Sequence, residues 1–526
     1  MMFDYSYLLE RYKKIETSGT FVPITGGVLT IAVVMYGIKT VFRNGLGGNN
    51  DTKRYRVIPT PSGSVFYFGH KLLMGDLPAR KVTEWHKELG PILKVKMGTE
   101  DWVFISQADM AHNIFTWDEN LTSKSPHFMC GDAVSGGTER LYTFDGHDAK
   151  WKDVRSAMLH FLSPSSIRGF DLLLQEEAQK TVDQLIRKSQ EHGNVDALSF
   201  IRLNAIHIIL ATSFGQLGTR SLYDPLYRCL MNRNGTNLQG ASIWRPWSWI
   251  SYLHGIFRGD YKPKNALYAP LQRVIQRARK SDLDNMVKRI DLLKEEYEID
   301  EHAVTTIMGE LLVAGMDTLS SATAWTLAIL CHYPDVQRQL AQEIDNFIKK
   351  HYRIPAFDDL CELPYYNAVQ KECLRFRPPV YWSIPRKASQ DVVYRNYLIP
   401  KGSTIVGNIH VLNNDEYAFT QPEKFLPERF LHDSYSMYVN ANGGFGERDH
   451  YAFGWGKRIC PGISLAENEM FNIVTRLMAK CTIEPATASN GQVVYPNLYD
   501  VRNAGTAVVP GPFKLRFVER DNRLIV

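Results

Sequence analysis

A cysteine enclosed by glycines near the carboxyl end constrains this chain more than any other feature. Residues 453–462 read FGWGKRICPG, with Cys460 between Gly456 and Gly462. Glycine at this density predicts a backbone that turns tightly and comes close to another group. A thiolate ligand suits such a loop, because peptide N–H groups can point at the sulfur and disperse its charge. A glycine-rich surface loop with an unimportant cysteine is the alternative.

An apolar run interrupted by small and polar residues is the second feature. It predicts one long helix over residues 301–331 that ends before Pro334. Within it, we expect Gly315 to let a flat ligand approach the backbone, Thr318 to hold a water and Asp317 to relay protons. Close helix packing and a threonine that bonds back to its own helix would explain the same residues.

Other charged and aromatic residues recur at helical spacing. Glu372 and Arg375 are three residues apart, so they share a helix face and can pair. Trp151 and Arg155 are one turn apart, which puts an indole N–H and a guanidinium on one face. Taken singly, these patterns are typical of surface pairs and ordinary amphipathic packing.

Together and in this order, the motifs resemble those of the cytochrome P450 family, the haem-thiolate monooxygenases, over residues 50–520. The family's pattern F-x-x-G-x-R-x-C-x-G is matched at Phe453, Gly456, Arg458, Cys460 and Gly462. The resemblance implies a mainly α fold with small β-sheets (α+β) in a single large domain. It also implies haem b as the cofactor, with Cys460 as the axial thiolate to iron.

The resemblance implies roles for the other site residues as well. Asp317 and Thr318 would deliver protons during cleavage of the oxygen–oxygen bond, and Phe453 and Gly315 would lie against the cofactor. A buried network behind the haem would join Glu372, Arg375 and Arg429. Donors to the haem propionates would be Trp151, Arg155, Arg386 and Arg458.

The amino-terminal residues predict a membrane anchor. Residues 21–38 carry no charge, and as a helix they would span roughly 27 Å, close to the thickness of the hydrocarbon core. Three basic residues precede this run and five follow it, which favours a cytosolic body. A cleaved signal peptide and a buried core helix are the alternatives. The predicted order is a segment 1–20, an anchor 21–42, a proline/glycine linker 43–64 and a catalytic domain 65–526.

Short-range patterns predict a few further elements. Runs at residues 92–95 and 102–106 predict a hairpin, and residues 398–406 predict a strand pair around Pro400, Lys401 and Gly402. Ser163 followed by Pro164 predicts the start of a helix.

Composition agrees with a globular protein that is not a nucleic-acid binder. Of 526 residues, 44% are hydrophobic and 22% charged, with a net charge of +5, which excludes a disordered chain, a coiled coil and a polytopic membrane protein. The seven cysteines form no CxxC pair, which is typical of free thiols in a reducing compartment.

The chain has neither a dinucleotide-binding glycine motif nor a phosphate-binding loop, so electrons are expected from a separate protein. For a microsomal-type, fungal-like member, the resemblance implies NADPH–cytochrome P450 reductase, with cytochrome b5 as an optional second partner, at the endoplasmic reticulum membrane. NADPH would thus act only indirectly. The reductase would dock near Lys457 and Arg458.

Two apolar stretches favour a lipophilic substrate of steroid, terpenoid, polyketide or fatty-acid type. The resemblance implies that residues 378–385 line the substrate cavity, where they offer Val380, Tyr381, Trp382 and Ile384. Residues 243–257 hold three tryptophans within six positions and match a variable region of the family near the membrane, which predicts contact with the membrane. An aromatic piece of the core is the alternative. An isomerase or dehydratase that needs no reductase, and a haem sensor, are the competing functions. The presence of Thr318 favours monooxygenation, because peroxide-rearranging relatives commonly lose it.

Overall fold

The computed structural model describes residues 55–65, 68–98, 100–116, 149–215, 268–503 and 507–521. The chain divides into a segment up to Val57 and a compact unit from Ile58 to Val526. The predicted anchor at 21–42 and the aromatic stretch at 243–257 lie outside the described residues.

Helices dominate the described chain, as the mainly α prediction requires. In chain order, the described α-helices are α1 (Pro78–Leu89), α2 (Ala108–Thr116), α3 (Ala149–Phe161), α4 (Pro164–Arg168), α5 (Asp171–His192), α6 (Ala197–Phe214), α7 (Tyr268–Lys280), α8 (Met286–Leu293), α9 (Glu301–His332), α10 (Pro334–His351), α11 (Pro364–Phe376), α12 (Ile409–Leu412), α13 (Met437–Asn442) and α14 (Ile463–Lys480).

The described strands are short and form small sheets. They are β1 (Ile92–Met97), β2 (Glu100–Ile105), β3 (Arg386–Lys387), β4 (Val392–Tyr394), β5 (Tyr397–Ile399), β6 (Thr404–Gly407), β7 (Cys481–Thr487), β8 (Val493–Val494), β9 (Val501–Asn503), β10 (Val508–Pro510) and β11 (Leu515–Glu519). The largest sheet has the order β1-β2-β6-β3, and the others are β4-β5, β10-β9 and β11-β7-β8.

The predicted hairpin is confirmed, and the predicted strand pair is wrong. Strands β1 and β2 pair antiparallel, with Ile92 opposite Ile105. Strand β5 pairs with β4, and β6 pairs instead with β2 and β3. The reason lies in Arg395 and Asn396, whose φ angles of 47° and 67° allow a two-residue turn between β4 and β5.

The predicted long helix is α9, and local signals set both of its ends. The carboxylate of Asp300 accepts a hydrogen bond from the N–H of Ala303 at 2.7 Å, which caps the first turn. The helix stops at His332, and Pro334, which lacks an N–H, begins α10. The start predicted at Ser163 is confirmed too, since its hydroxyl accepts from the N–H of Ser166 at 3.3 Å.

Two apolar clusters surround α9. Its first half packs with α3, α6, α7 and α8, and its second half packs with α5, α10, α11 and α14. The helix therefore crosses the body, and only one of its faces is accessible around residues 313–318.

The compact unit begins a few residues before the predicted domain boundary at residue 65. Ile58 is buried, and the carbonyl oxygen of Pro59 accepts from the N–H of Lys94 at 2.7 Å. The carbonyl oxygen of Pro61 lies 2.9 Å from Nε2 of His70. The last residues of the predicted linker thus pack on the body, because their backbone groups find partners there.

One helix of the described residues, α6, is long and apolar enough to cross a membrane. About two thirds of it (67%) is buried inside the protein, and a core helix passes the same test of length and composition. Its role here is packing against α9.

Candidate active site

The loop that carries Cys460 folds back on itself. Gly454 and Gly456 have φ angles of 76° and 58°, where other residues are strained. A Cβ on Gly456 would lie 2.7 Å from the carbonyl oxygen of Phe115, so only glycine fits against the end of α2. A short 3₁₀ turn spans Gly456–Arg458. The N–H of Cys460 then donates to the carbonyl oxygen of Phe453 at 2.9 Å, which closes the loop.

The thiol of Cys460 is held in a dense environment, although its side chain remains partly accessible. Burial raises its pKa, whereas a hydrogen bond from the N–H of Gly462 and the charge of Arg155 act in the opposite direction. Such a thiol needs a bound cation to ionise fully. The buried thiols of Cys331 and Cys481 have pKa values raised by burial to about 12, which is typical of inert structural cysteines.

Four predicted cofactor residues converge beside this loop. The guanidinium carbon of Arg458 lies 4.0 Å from the ring centroid of Trp151. Arg155 donates to the carbonyl oxygen of Ile459, and Nη2 of Arg386 lies 3.4 Å from the carbonyl oxygen of Trp455. The structure therefore joins α3 and β3 to the cysteine loop through arginine side chains.

The cluster has an excess of positive charge. Burial lowers the pKa of Arg155 to about 10, and burial together with the nearby charges of Arg458 and Arg155 lowers the pKa of Arg386. Within the described residues, no carboxylate acts on the charge of Arg155 or Arg386. The buried indole N–H of Trp151 has no hydrogen-bond partner there either. Such a site suits a dianion with several acceptor oxygens.

The accessible face of α9 carries Ala314, Asp317 and Thr318. Ala314 is exposed, and Asp317 and Thr318 are half-buried, whereas Met316 and Leu319 between and beside them are buried. The hydroxyl of Thr318 donates to the carbonyl oxygen of Ala314 at 2.7 Å, so its lone pairs remain able to accept.

The expectation that Gly315 makes room for a flat ligand is wrong. A Cβ on Gly315 would lie 2.1 Å from Cδ1 of Ile209. Ile209 belongs to α6, so the missing side chain allows two helices to pack closely. Ala314, one residue earlier, is the small residue on the accessible face.

The predicted network behind the loop is present and buried. Arg375 donates to both oxygens of Glu372 at 2.7 and 2.8 Å. Its other N–H groups reach carbonyl oxygens of residues 413, 422 and 424, so all its donors are used. Nε of Arg429 lies 3.0 Å from Oε2 of Glu372. This network ties α11 to the segment that leads to the cysteine loop.

The predicted aromatic cavity wall is wrong in part. Tyr381 is only 6% exposed and lies against His410, with ring centroids 4.4 Å apart. Trp382 packs on Phe104 at 4.9 Å. Tyr381 therefore faces the protein interior, whereas Trp382, the next residue of this extended segment, is half-buried and lies on the opposite side, with Ile384. Ile384 is 55% exposed and is the apolar side chain of this segment that faces open space.

Sequence reasoning missed Arg202 on α6. Its Nη2 lies 3.9 Å from Oδ1 of Asp317. Nothing near Arg202 in the sequence signals this contact, which exists because α6 packs along α9. The signal in the sequence was Asp317 itself, because an acid within an apolar helix needs a positively charged partner when it is partly buried.

Comparisons with known proteins agree with this geometry. The family model for cytochrome P450 matches residues 59–507. A cytochrome P450 monooxygenase of Arthrobotrys oligospora is 28% identical over 440 residues, which cover 80% of each chain. The cytochrome P450 monooxygenase anuE of Penicillium roqueforti is 27% identical over 444 residues, which cover 79% of this chain and 87% of that relative. In solved structures, a zebra fish cytochrome P450 with abiraterone matches with a TM-score of 0.67. It is 21% identical and covers 84% of this chain and 100% of that chain, which supports the fold alone.

The fold and the site together define a haem-thiolate monooxygenase, an oxidoreductase. The chain belongs to the cytochrome P450 family, since the family match spans most of its length.

The residues present fit the haem that this family implies. A haem brings two propionates, and the cationic cluster with its unpartnered indole N–H offers donors for them. Cys460 offers a sulfur between N–H donors and arginine charge. Within the described residues, no other group of histidine, cysteine and carboxylate side chains could hold a metal ion.

Proposed function

We propose that this protein inserts one atom of O2 into a C–H bond of a lipophilic substrate, with electrons that come from NADPH through a separate reductase. Haem ligated by a thiolate supplies the oxygen-activating chemistry. The proposed ligand is Cys460. The proposed donors to the propionates are Trp151, Arg155, Arg386 and Arg458. Phe453 is proposed to line the cofactor site, whereas Gly315 is assigned to helix packing.

The accessible face of α9 is the observation that carries this proposal. A helix buried on every other side exposes a small residue, an acid and an alcohol over little more than one turn, at Ala314, Asp317 and Thr318. Burying such polar groups in a core would be costly. Facing a cavity, they can bind and move protons.

Thr318 and Asp317 would have different roles in proton transfer. Thr318 gives its own hydrogen to the carbonyl of Ala314, so it would accept a hydrogen bond from a water in the cavity. Asp317 would take protons from solvent and pass them on along the accessible face of α9. Arg202, 3.9 Å from Asp317, would keep that carboxylate oriented.

The substrate is proposed to be a steroid, terpenoid, polyketide or fatty-acid-like compound. Ala314 and Ile384 are exposed apolar side chains, and burial of apolar substrate surface against such side chains would drive binding.

The proposed electron donor is NADPH–cytochrome P450 reductase, with cytochrome b5 as an optional partner. Lys457 and Arg458 lie in the turn before Cys460, where positive charge would attract an acidic partner, less strongly as salt rises. The proposed location is the endoplasmic reticulum membrane, with a single anchor at residues 21–42 and the catalytic domain in the cytosol.

The carbon monoxide difference spectrum of the reduced protein tests the proposed ligand. We expect a red-shifted Soret band typical of thiolate ligation, and its loss in Cys460→Ser. Cys481→Ser, which changes another buried thiol, is the matched control and should keep the band. An unchanged band in Cys460→Ser would overturn the assignment.

Substrate class and topology need separate measurements. A panel of lipophilic compounds, screened for a change in iron spin state, should include binders, and oxidation of these should require NADPH, O2 and the reductase. Product formed without reductase would favour the isomerase.

Glycosylation tests the orientation of the chain in the membrane. Asn120 and Asn234 lie in N-x-T sequons and should stay bare in a cytosolic domain.

A further inference from the structure

Arg448 makes two contacts that sequence reasoning did not foresee. Its Nη1 donates to the carbonyl oxygen of Ala441 at 2.8 Å, and its Nη2 donates to the carbonyl oxygen of Gly454 at 2.6 Å. Ala441 lies in the last turn of α13, where helix carbonyls lack partners within the helix. The guanidinium thus connects the end of α13 to the start of the cysteine loop.

His450 holds the same stretch of backbone from another direction. The N–H of Ala452 donates to Nδ1 of His450 at 3.3 Å, and Nε2 lies 3.4 Å from Sδ of Met437. The ring centroid of His450 is 5.4 Å from that of Phe453. Burial and the charges of Arg448, Lys371 and Arg375 lower the pKa of His450 to about 3. The ring is therefore neutral and Nδ1 stays an acceptor.

The residue between these two anchors makes the bond that closes the loop. Ala452 is held by His450 and Gly454 by Arg448, while the carbonyl oxygen of Phe453 accepts from the N–H of Cys460 at 2.9 Å. We propose that Arg448 is a positioning residue: with His450, it immobilises residues 452–454 so that Phe453 holds Cys460 in the ligating geometry. This inference rests on the proposed role of Cys460.

The surroundings of Arg448 favour this function over that of a solvated charge. Burial lowers the pKa of its guanidinium, and its central carbon lies 5.7 Å from the ring centroids of both Tyr451 and Trp455. A buried cation is stable only when hydrogen bonds compensate for its lost hydration. Both of its hydrogen bonds end on backbone carbonyls, so they restrain the chain.

Arg377 provides a matched control. It is buried, donates to the carbonyl oxygens of Leu498 and Phe376 at 2.8 Å each, and stacks on the ring of Phe376 at 4.0 Å. It resembles Arg448 in burial, bonding and stacking, but its contacts lie outside the cysteine loop.

The test compares Arg448→Met with Arg377→Met in the haem-loaded protein by two measurements. Hydrogen exchange at the Cys460 amide reports the loop directly, and the carbon monoxide difference spectrum reports the ligand. In Arg448→Met we expect about tenfold faster exchange at that amide and the movement of part of the Soret absorbance to the histidine-like position. Arg377→Met should change neither. Arg448→Lys keeps the charge but lacks the planar fork that reaches both carbonyls, so it should lie in between.

Two results would overturn the inference. One is wild-type exchange and an unchanged band in Arg448→Met, and the other is equal changes in both methionine variants. If Arg448→Met does not accumulate, Arg448→Lys decides, and a wild-type exchange rate in it overturns the inference. A histidine-like band already present in the wild type, with faster exchange in Arg448→Met, would refute the proposed ligand and leave the positioning role supported.

Discussion

The guanidinium of Arg458 lies over the ring of Trp151, with its central carbon 4.0 Å from the ring centroid. This contact connects the cysteine loop to α3. It occupies the face of the indole and leaves the indole N–H, which is buried without a partner in the described part of the chain, directed elsewhere. One aromatic side chain can therefore serve both the loop and a bound anion.

Trp151→Phe separates these two roles. Phenylalanine keeps an aromatic face for Arg458 and loses the N–H, so haem should dissociate about ten- to a hundredfold faster, as for a lost bond to a charged acceptor. The measurement is haem transfer to apomyoglobin. Trp325→Phe, which loses an indole N–H directed at the carbonyl of Val508 at 3.4 Å, should transfer haem at the wild-type rate. Equal rates in both variants would contradict a role for Trp151 in haem binding.

Glu372→Gln should destabilise the protein strongly. It leaves Arg375, which is fully buried, without its anionic partner, at a cost of about 3–5 kcal/mol. Urea unfolding measures this cost. The control is Glu191→Gln, because Glu191 pairs with Lys188 at the same spacing and 2.7 Å, with 43% and 37% of the side chains exposed. Its loss should leave the free energy of unfolding nearly unchanged, because an exposed ion pair contributes little. Similar costs for the two would contradict the structural role of the network.

Thr318→Ala should uncouple electron use from product formation. Without the hydroxyl, water in the proposed cavity loses a hydrogen-bond acceptor. In a reaction reconstituted with the reductase, more of the electrons from NADPH should therefore reduce O2 to hydrogen peroxide instead of forming product. Thr318→Ser should stay coupled. The control is Thr326→Ala: Thr326 bonds back to Ala322 at 3.0 Å in the same helix but is buried. Tight coupling in Thr318→Ala would exclude the proposed role.

Gly315→Ala should destabilise the protein through helix packing, by about 1–3 kcal/mol. The new methyl group would collide with Cδ1 of Ile209. Adding Ile209→Val removes that atom and should restore most of the melting temperature. If the double variant stays as unstable as Gly315→Ala, the space beside Gly315 serves something other than α6.

The contribution of Asp449 and Glu467 to stability should fall as pH rises through the range 5 to 7. Burial raises the pKa of both Asp449 and Glu467 to about 7, with Lys371 acting in the opposite direction, from ordinary values of 3.8 and 4.5. Each of these carboxyl groups therefore holds more protons in the folded state than in the unfolded state in this range. Its contribution to stability is highest at the acid end and is lost as the group ionises.

Urea unfolding between pH 5 and 8.5 measures this dependence. Glu467→Gln removes one of the two groups, so the wild type should lose more stability with rising pH than this variant does, by at most about 1.4 kcal/mol per pH unit. An unchanged slope in this variant would show that Glu467 does not titrate there.

Features that depend on neighbours along the chain follow from the sequence alone. Asp300 and Pro334 limit α9, because capping and the missing N–H of proline act within one turn. Glu372 and Arg375 must share a face, because helical geometry leaves no choice. The glycines around Cys460 indicated a tight turn, and Gly454 and Gly456 have positive φ angles. These local signals predicted the long helix, the tight loop and the Glu372–Arg375 pair, whereas the burial of that pair in a network was implied by the resemblance to the family.

Tertiary packing decided the features that involve distant parts of the chain. Gly315 meets Ile209 because α6 lies along α9, and Tyr381 faces His410 because the segment at 378–385 runs extended beside the sheet. Arg448 connects α13 to Gly454 through two backbone carbonyls. Every residue has a carbonyl, so the sequence does not reveal which ones Arg448 contacts. Local rules state what a residue can do, and only the arrangement of helices in space decides which atom lies opposite it.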